Sequence, residues 1–123
     1  MSFFEAVAAC LSKYATFSGR ASRAEFWWFM LFVLLAILII NAVASPFGGP
    51  QTGAGLVVLF MLAMVVPSFA VGARRLHDMG HSGWWQLLHI SGLGTAILLV
   101  WMIFEGTPGA NRFGQPVVPL LQE

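Results

Sequence analysis

The residues best able to do chemistry crowd into one short stretch, Arg74-Arg75-Leu76-His77-Asp78-Met79-Gly80-His81. His77 beside Asp78 would suit a general acid–base pair in a membrane enzyme acting on lipid or envelope material, given a cleft where both side chains are unpaired. His77, Asp78 and His81 also raise the question of a metal. Gly80 and Gly83 interrupt the helix that would put both imidazoles on one face. HExxH is absent, and a structural zinc site wants four ligands, often with cysteine, so no metal is expected. Arg20 and Arg23 upstream, with Arg74 and Arg75 here, form a basic set suited to anions. Asn41 and His89 stand alone in apolar stretches, and an ionisable group at membrane depth is a functional hypothesis by default. A small-molecule or ion transporter or channel would line its path with them, whereas a neutral His89 bonded to a backbone carbonyl is the plainer role. Cys10 is the sole cysteine, which excludes an intrachain disulfide and reads as a small buried side chain. No Ser/His/Asp set, Walker loop or dinucleotide fingerprint occurs, so no cofactor is expected.

The elements that must hold these residues are set by charge. No charged side chain occurs between Glu25 and Arg74, a run of 48 residues. A helix needs about 20 apolar residues to cross a bilayer core of ~30 Å, so this run can cross twice. Charged residues make up 9% of the chain, against about 25% in soluble domains. The architecture expected is all-α: one membrane domain over 1–123, with an interfacial amphipathic helix over 2–15 and transmembrane helices over 25–44, 56–73 and 84–104. An irregular tail follows over 105–123. Ser2 and Glu5 have capping-box spacing, as do Ser22 and Glu25. Phe3, Val7, Leu11 and Tyr14 recur as one apolar stripe on the first helix. No cleavable signal peptide is visible, so the first span is expected to act as an uncleaved anchor. Pro67 should kink the second span near Ala63. Over 84–104 a single crossing is favoured over a re-entrant hairpin turning at Gly92–Gly94, because a lipid-exposed turn at that depth is forbidden.

Orientation follows from the basic residues. Lys13, Arg20 and Arg23 precede the first span, Arg74 and Arg75 follow the second, and the loop 45–55 has none. Basic residues stay cytoplasmic, which places the N-terminus and the 74–83 loop inside and, with a third crossing, the tail outside. An antiparallel hairpin brings Arg20, Arg23 and Glu25 up to Arg74, Arg75 and Asp78. The structural reading is a charge lock of Glu25, Asp78, Arg23 and Arg74. In it Asp78 accepts from Arg20, Arg23 or Arg74, and Glu25 faces Arg74 or Arg75. The functional reading is a headgroup or partner site built from Arg20, Arg23, Arg74, Arg75, His77 and Asp78. Arginines outnumber acids there, so both can hold.

Three segments carry a resemblance: Phe17–Trp27 with FSGRASRAEFW, Arg74–Trp85 with RRLHDMGHSGWW, and Gly106–Gly114 with GTPGANRFG. Together they resemble DUF805 (domain of unknown function 805), the YhaH-like bacterial inner membrane proteins, over nearly the whole chain. The resemblance picks out Arg20, Arg23, Arg75, His77, Asp78, Trp84, Asn111 and Gly114; His81 falls where the family is not tied to histidine. It implies a fold and a bacterial inner (plasma) membrane location, and no reaction. The function expected is non-catalytic: a small polytopic protein binding anionic lipid headgroups or a membrane partner through its arginine-rich cytoplasmic face. A homo-oligomer is in keeping with three helices that offer little interior. A net charge of +1 gives no reason to expect nucleic acid.

Overall fold

The computed structural model describes residues 2–116. They form α1 (Phe3–Ser12), α2 (Arg23–Gly48), α3 (Pro50–Asp78), a 3-10 helix (Gly83–Ile90) and α4 (Gly92–Trp101). The Ser2 hydroxyl accepts from the Glu5 amide, and the Ser22 hydroxyl from the Glu25 amide, each at 3.2 Å. Both orphan-donor sets at these helix starts are thereby relieved.

α2 and α3 form an antiparallel hairpin with almost no loop. The segment 45–55 is not a loop, because α2 continues to Gly48 and α3 begins at Pro50. Gly49, at φ 82°, makes the whole turn, a backbone setting in which a side chain is strained. Pro50 opens α3, where its missing N–H costs nothing. Gly53 lets the hairpin close just beyond the turn; a Cβ there would come within 2.7 Å of the Asn41 Oδ1. Further along, Pro67 has no N–H for the Ala63 carbonyl. The Tyr14 hydroxyl donates to that carbonyl instead.

Both long helices are apolar and long enough to cross a membrane. Only 11% and 17% of their most apolar stretches are buried inside the molecule, so most of their apolar side chains face outward. Leu38, Ile39, Leu59 and Leu62 are each more than half exposed. The packed core gathers at one end, around Cys10, Phe26, Phe29, Val71, Leu76, Leu98 and Met102.

Into this core α1 turns Ala6 and Cys10, while Leu11 and Tyr14 of its apolar stripe remain exposed on the outside; small side chains allow close approach to α2. A further expectation is corrected. The single helix expected over 84–104 does not form. The segment breaks at Ser91 into the 3-10 helix and a ten-residue α4, and its two ends meet. His81 stacks on Trp101 with ring centroids 5.0 Å apart, and the Trp27 indole donates to the Met102 carbonyl at 3.1 Å. The objection to a turn here was unsatisfied backbone. Ser91 answers it by accepting from the Gly94 amide at 3.0 Å and donating to the Leu88 carbonyl at 3.3 Å. Gly94 lies so close to Leu88 that a Cβ would come within 2.8 Å of the Leu88 Cβ, which is what lets the two arms fold together.

Candidate functional site, a buried arginine–carboxylate cluster

The site lies where the N-terminal connection, the end of α3 and the tail converge. Arg20, Glu25, Arg74, Arg75 and Asp78 are all buried there. The segment before α2 is fixed against α3 by the Ala21 amide, which donates to the Arg74 carbonyl at 2.9 Å.

Asp78 is the hub. Its Oδ1 accepts from Arg20 Nε at 2.8 Å and its Oδ2 from Arg75 Nη1 at 2.6 Å. Arg75 and Asp78 are three residues apart on α3, a spacing that puts them on one helix face. The rest of the Arg20 fork is spent on backbone: Nη1 donates to the Gly109 and Gly114 carbonyls, Nη2 to those of Asp78 and Thr107. All five guanidinium donors are engaged. Arg75 donates in turn to the carbonyls of Met102, Ala21 and Phe104.

Glu25 and Arg74 form a second pair at 2.5 Å, both essentially without solvent exposure, and Arg74 Nε also reaches the Thr16 carbonyl at 3.1 Å. Glu25 Oε2 and Arg74 Nη2 are buried without a hydrogen-bond partner, so this pair is less saturated than the Asp78 hub. Cys10 Sγ lies 3.8 Å from Glu25 Oε1. Burial, with the Glu25 carboxylate adding to it, pushes the Cys10 thiol up to about 12. In all, three guanidinium groups face two carboxylates, and main-chain oxygens of the tail carry the surplus positive charge. Buried ions hold only when their remaining valences are met in this way.

The tail closes the cluster. The Thr107 amide donates to the Asp78 carbonyl at 2.6 Å, and Asn111 Nδ2 to the His77 carbonyl at 2.8 Å, satisfying oxygens that the end of α3 leaves open. Gly106 packs directly on the Asp78 side chain; a Cβ there would lie 2.9 Å from the Asp78 backbone oxygen. Asn111 and Gly114 bridge each other by mutual N–H···O bonds of 3.0 Å, presenting the Gly114 carbonyl to Arg20. The expectation of an irregular tail over 105–123 did not include this capture, although the resemblance picks out Asn111 and Gly114.

Arg23 is not part of the lock. Its side chain is 49% exposed, facing Glu105 at 3.8 Å and the Ile103 carbonyl at 3.3 Å. It sits two residues before inward-facing Glu25, about 200° away around the helix. His77 Nδ1 lies 2.9 Å from the Gly19 carbonyl, and its ring stacks on Phe113 at 4.0 Å. With both Asp78 oxygens held by arginines, His77 and Asp78 do not form an open acid–base pair. Asn41 and His89 lie in separate elements, Asn41 beside Ser45 and His89 bonded to Thr95 at 3.0 Å. Among the described residues, no group of three or more His, Cys, Asp or Glu could hold a metal.

Comparison with known proteins places this arrangement in a family context. The family described as "Protein of unknown function (DUF805)" matches residues 14–115, a span that contains every member of the cluster. The inner membrane protein YhaI of Escherichia coli (strain K12) is 41% identical over 105 residues, covering 85% of this chain and 87% of the relative. The inner membrane protein YhaH of the same strain is 36% identical over 107 residues, covering 85% and 88%. No solved structure matches.

Proposed function

From a chain that belongs to the DUF805 family, we propose a two-pass, non-catalytic protein of the bacterial inner membrane that binds anionic lipid headgroups at its cytoplasmic end. α2 and α3 cross the bilayer, and the segment from Gly83 to Trp101 enters it and returns. The N-terminus, the loop after α3 and the tail up to residue 116 share the cytoplasmic side. The basic residues favour that orientation: Lys13, Arg20, Arg23, Arg74, Arg75 and Arg112 all lie outside the Gly49 turn, and basic residues are retained inside.

The observation that carries the headgroup reading is the exposure of Lys13, Arg23 and Arg112 at the end of the hairpin where Arg20, Arg74 and Arg75 are buried. The buried guanidinium groups are spent on carboxylates and main-chain oxygens, so they hold the fold and do not meet lipid. Each exposed cation near an anionic leaflet contributes about 1 kcal/mol, and the exposed Arg23–Glu105 contact is too weak to withhold Arg23. His77 and Asp78, expected with the binding set, belong to the scaffold in this reading.

The test is lipid selectivity at the protein boundary, read with spin-labelled phosphatidylglycerol against phosphatidylcholine in reconstituted membranes. The native chain should prefer phosphatidylglycerol, and the preference should shrink with salt. Lys13→Gln, Arg23→Gln and Arg112→Gln combined should abolish it while leaving the fold intact. An unchanged preference in the triple variant would refute the assignment.

A further inference from the structure

A separate feature lies beside the cluster. Phe69, Ala73 and His77 recur every four residues on α3 and so make one stripe, about 12 Å from end to end. The 3-10 helix lies along this stripe at close range. Gly83 is so near that a Cβ would come within 2.9 Å of the Ala73 Cβ, and Gly72 sits against Gln86. Gln86 Nε2 donates to the Phe69 carbonyl at 3.0 Å. Between the stripe, Phe17 and the side chains of Trp84 and Leu87 a cavity of about 610 Å³ remains, within the roughly 300–1,000 Å³ of ligand pockets.

The cavity has a direction. Away from the charged cluster it is lined by Phe69 and Leu87, with the Gln86 amide turned onto the Phe69 carbonyl. Its other end carries His77 and Ser82, at the level of the charged cluster. The Gly19 carbonyl can only accept, so His77 Nδ1 bears the proton in that bond and Nε2 is left facing Gly83 and the cavity.

We infer that this groove holds one acyl chain of a membrane glycerophospholipid, with its glycerol–phosphate end at His77 and Ser82. The argument for a lipid is the match of polarity to depth. A second copy of the chain would offer a helix face that is apolar throughout, like the exposed flanks of α2 and α3, and would leave the polar end unmatched. Trp84, 78% exposed, stands at the rim, where indoles favour the headgroup level. The inference rests on the membrane placement proposed above and is independent of the preference for anionic headgroups.

The test uses phosphatidylcholine, a zwitterionic probe to which the headgroup reading gives no advantage. Protein is reconstituted with it, moved into a delipidating detergent and weighed by native mass spectrometry. One retained lipid per chain is expected. Leu87→Trp, which fills the groove, should lower retention about tenfold, a loss of roughly 1.4 kcal/mol. Leu34→Trp, on the lipid-facing side of α2, should not change it. Where Leu87→Trp fails to fold, a phosphatidylcholine with a photoreactive acyl chain replaces it, with adducts expected to concentrate on Phe69 and Leu87. Equal retention in Leu87→Trp, adducts spread evenly along both long helices, or a dimer with no bound lipid would each overturn the inference. Those results would leave phosphatidylglycerol selectivity at Arg23 and Arg112 untouched, whereas loss of that selectivity alone would leave the groove standing.

Discussion

Asp78 shows why a buried charge must be read with everything that touches it. Two guanidinium groups hold its carboxylate, and removing that charge strands both of them. Asp78→Asn should therefore cost about 3 kcal/mol or more of stability in detergent. Combined with Arg20→Gln it should cost less than the sum of the single losses, because the two share one interaction; thermal melts of the four proteins in the cycle read this directly. Gly106→Ala places a methyl against Asp78, and overpacking of this kind costs about 1–3 kcal/mol. Cys10 gives the pH prediction. Its folded thiol stays protonated up to about 12, against 9.0 ordinarily. The unfolded chain then loses this proton first, so the thiol's contribution to stability is complete below pH 9 and declines as pH rises towards 12. Maleimide labelling of the native protein at pH 8 should be negligible and should appear only on unfolding; rapid native labelling would contradict that burial. At this scale the sequence was partly legible. An antiparallel hairpin left Asp78 a choice of Arg20, Arg23 or Arg74 and Glu25 a choice of Arg74 or Arg75; the structure pairs Asp78 with Arg20 and Glu25 with Arg74. The Arg75–Asp78 contact was readable from its spacing and went unread. Arg23 was misplaced because proximity along the chain was weighed without helical phase.

The elements repeat the lesson with a different physical cause. Charge depletion located the long helices, and the serine caps located the starts of α1 and α2. The ends were harder, since the Gly/Pro-rich stretch 45–50 looks like a loop and is almost wholly helical around one glycine with positive φ. The third apolar segment reads as one continuous helix because its length suits a crossing of ~30 Å, yet it breaks at Ser91. What decides its path is local: Ser91 supplies the missing hydrogen bonds and Gly94 the missing volume. Ser91→Ala removes a cap worth about 1 kcal/mol and exposes the turn's backbone. It should lower the melting temperature and loosen the His81–Trp101 stack, seen as a change in tryptophan fluorescence. A silent substitution would mean that the turn is held by something else.

For the whole molecule, the cluster acts as a clasp. It draws the N-terminal connection, the end of α3 and the tail to one place, and it needs the Gly83–Trp101 segment to return to the end it left. Function could be read only coarsely from residue types, because the arginines that look most suited to ligands are the ones consumed in holding the fold. The decisive measurement is the membrane face reached by each part of the chain. With Cys10 replaced by alanine, single cysteines are placed at Ser18, Gln51 and Ala110, all exposed, and probed in intact cells with an impermeant thiol reagent. The account predicts labelling from outside at position 51 alone, with positions 18 and 110 reacting only after the membrane is opened. Labelling of position 110 from outside, together with position 51, would mean that the third segment crosses the membrane and that the clasp described here does not exist.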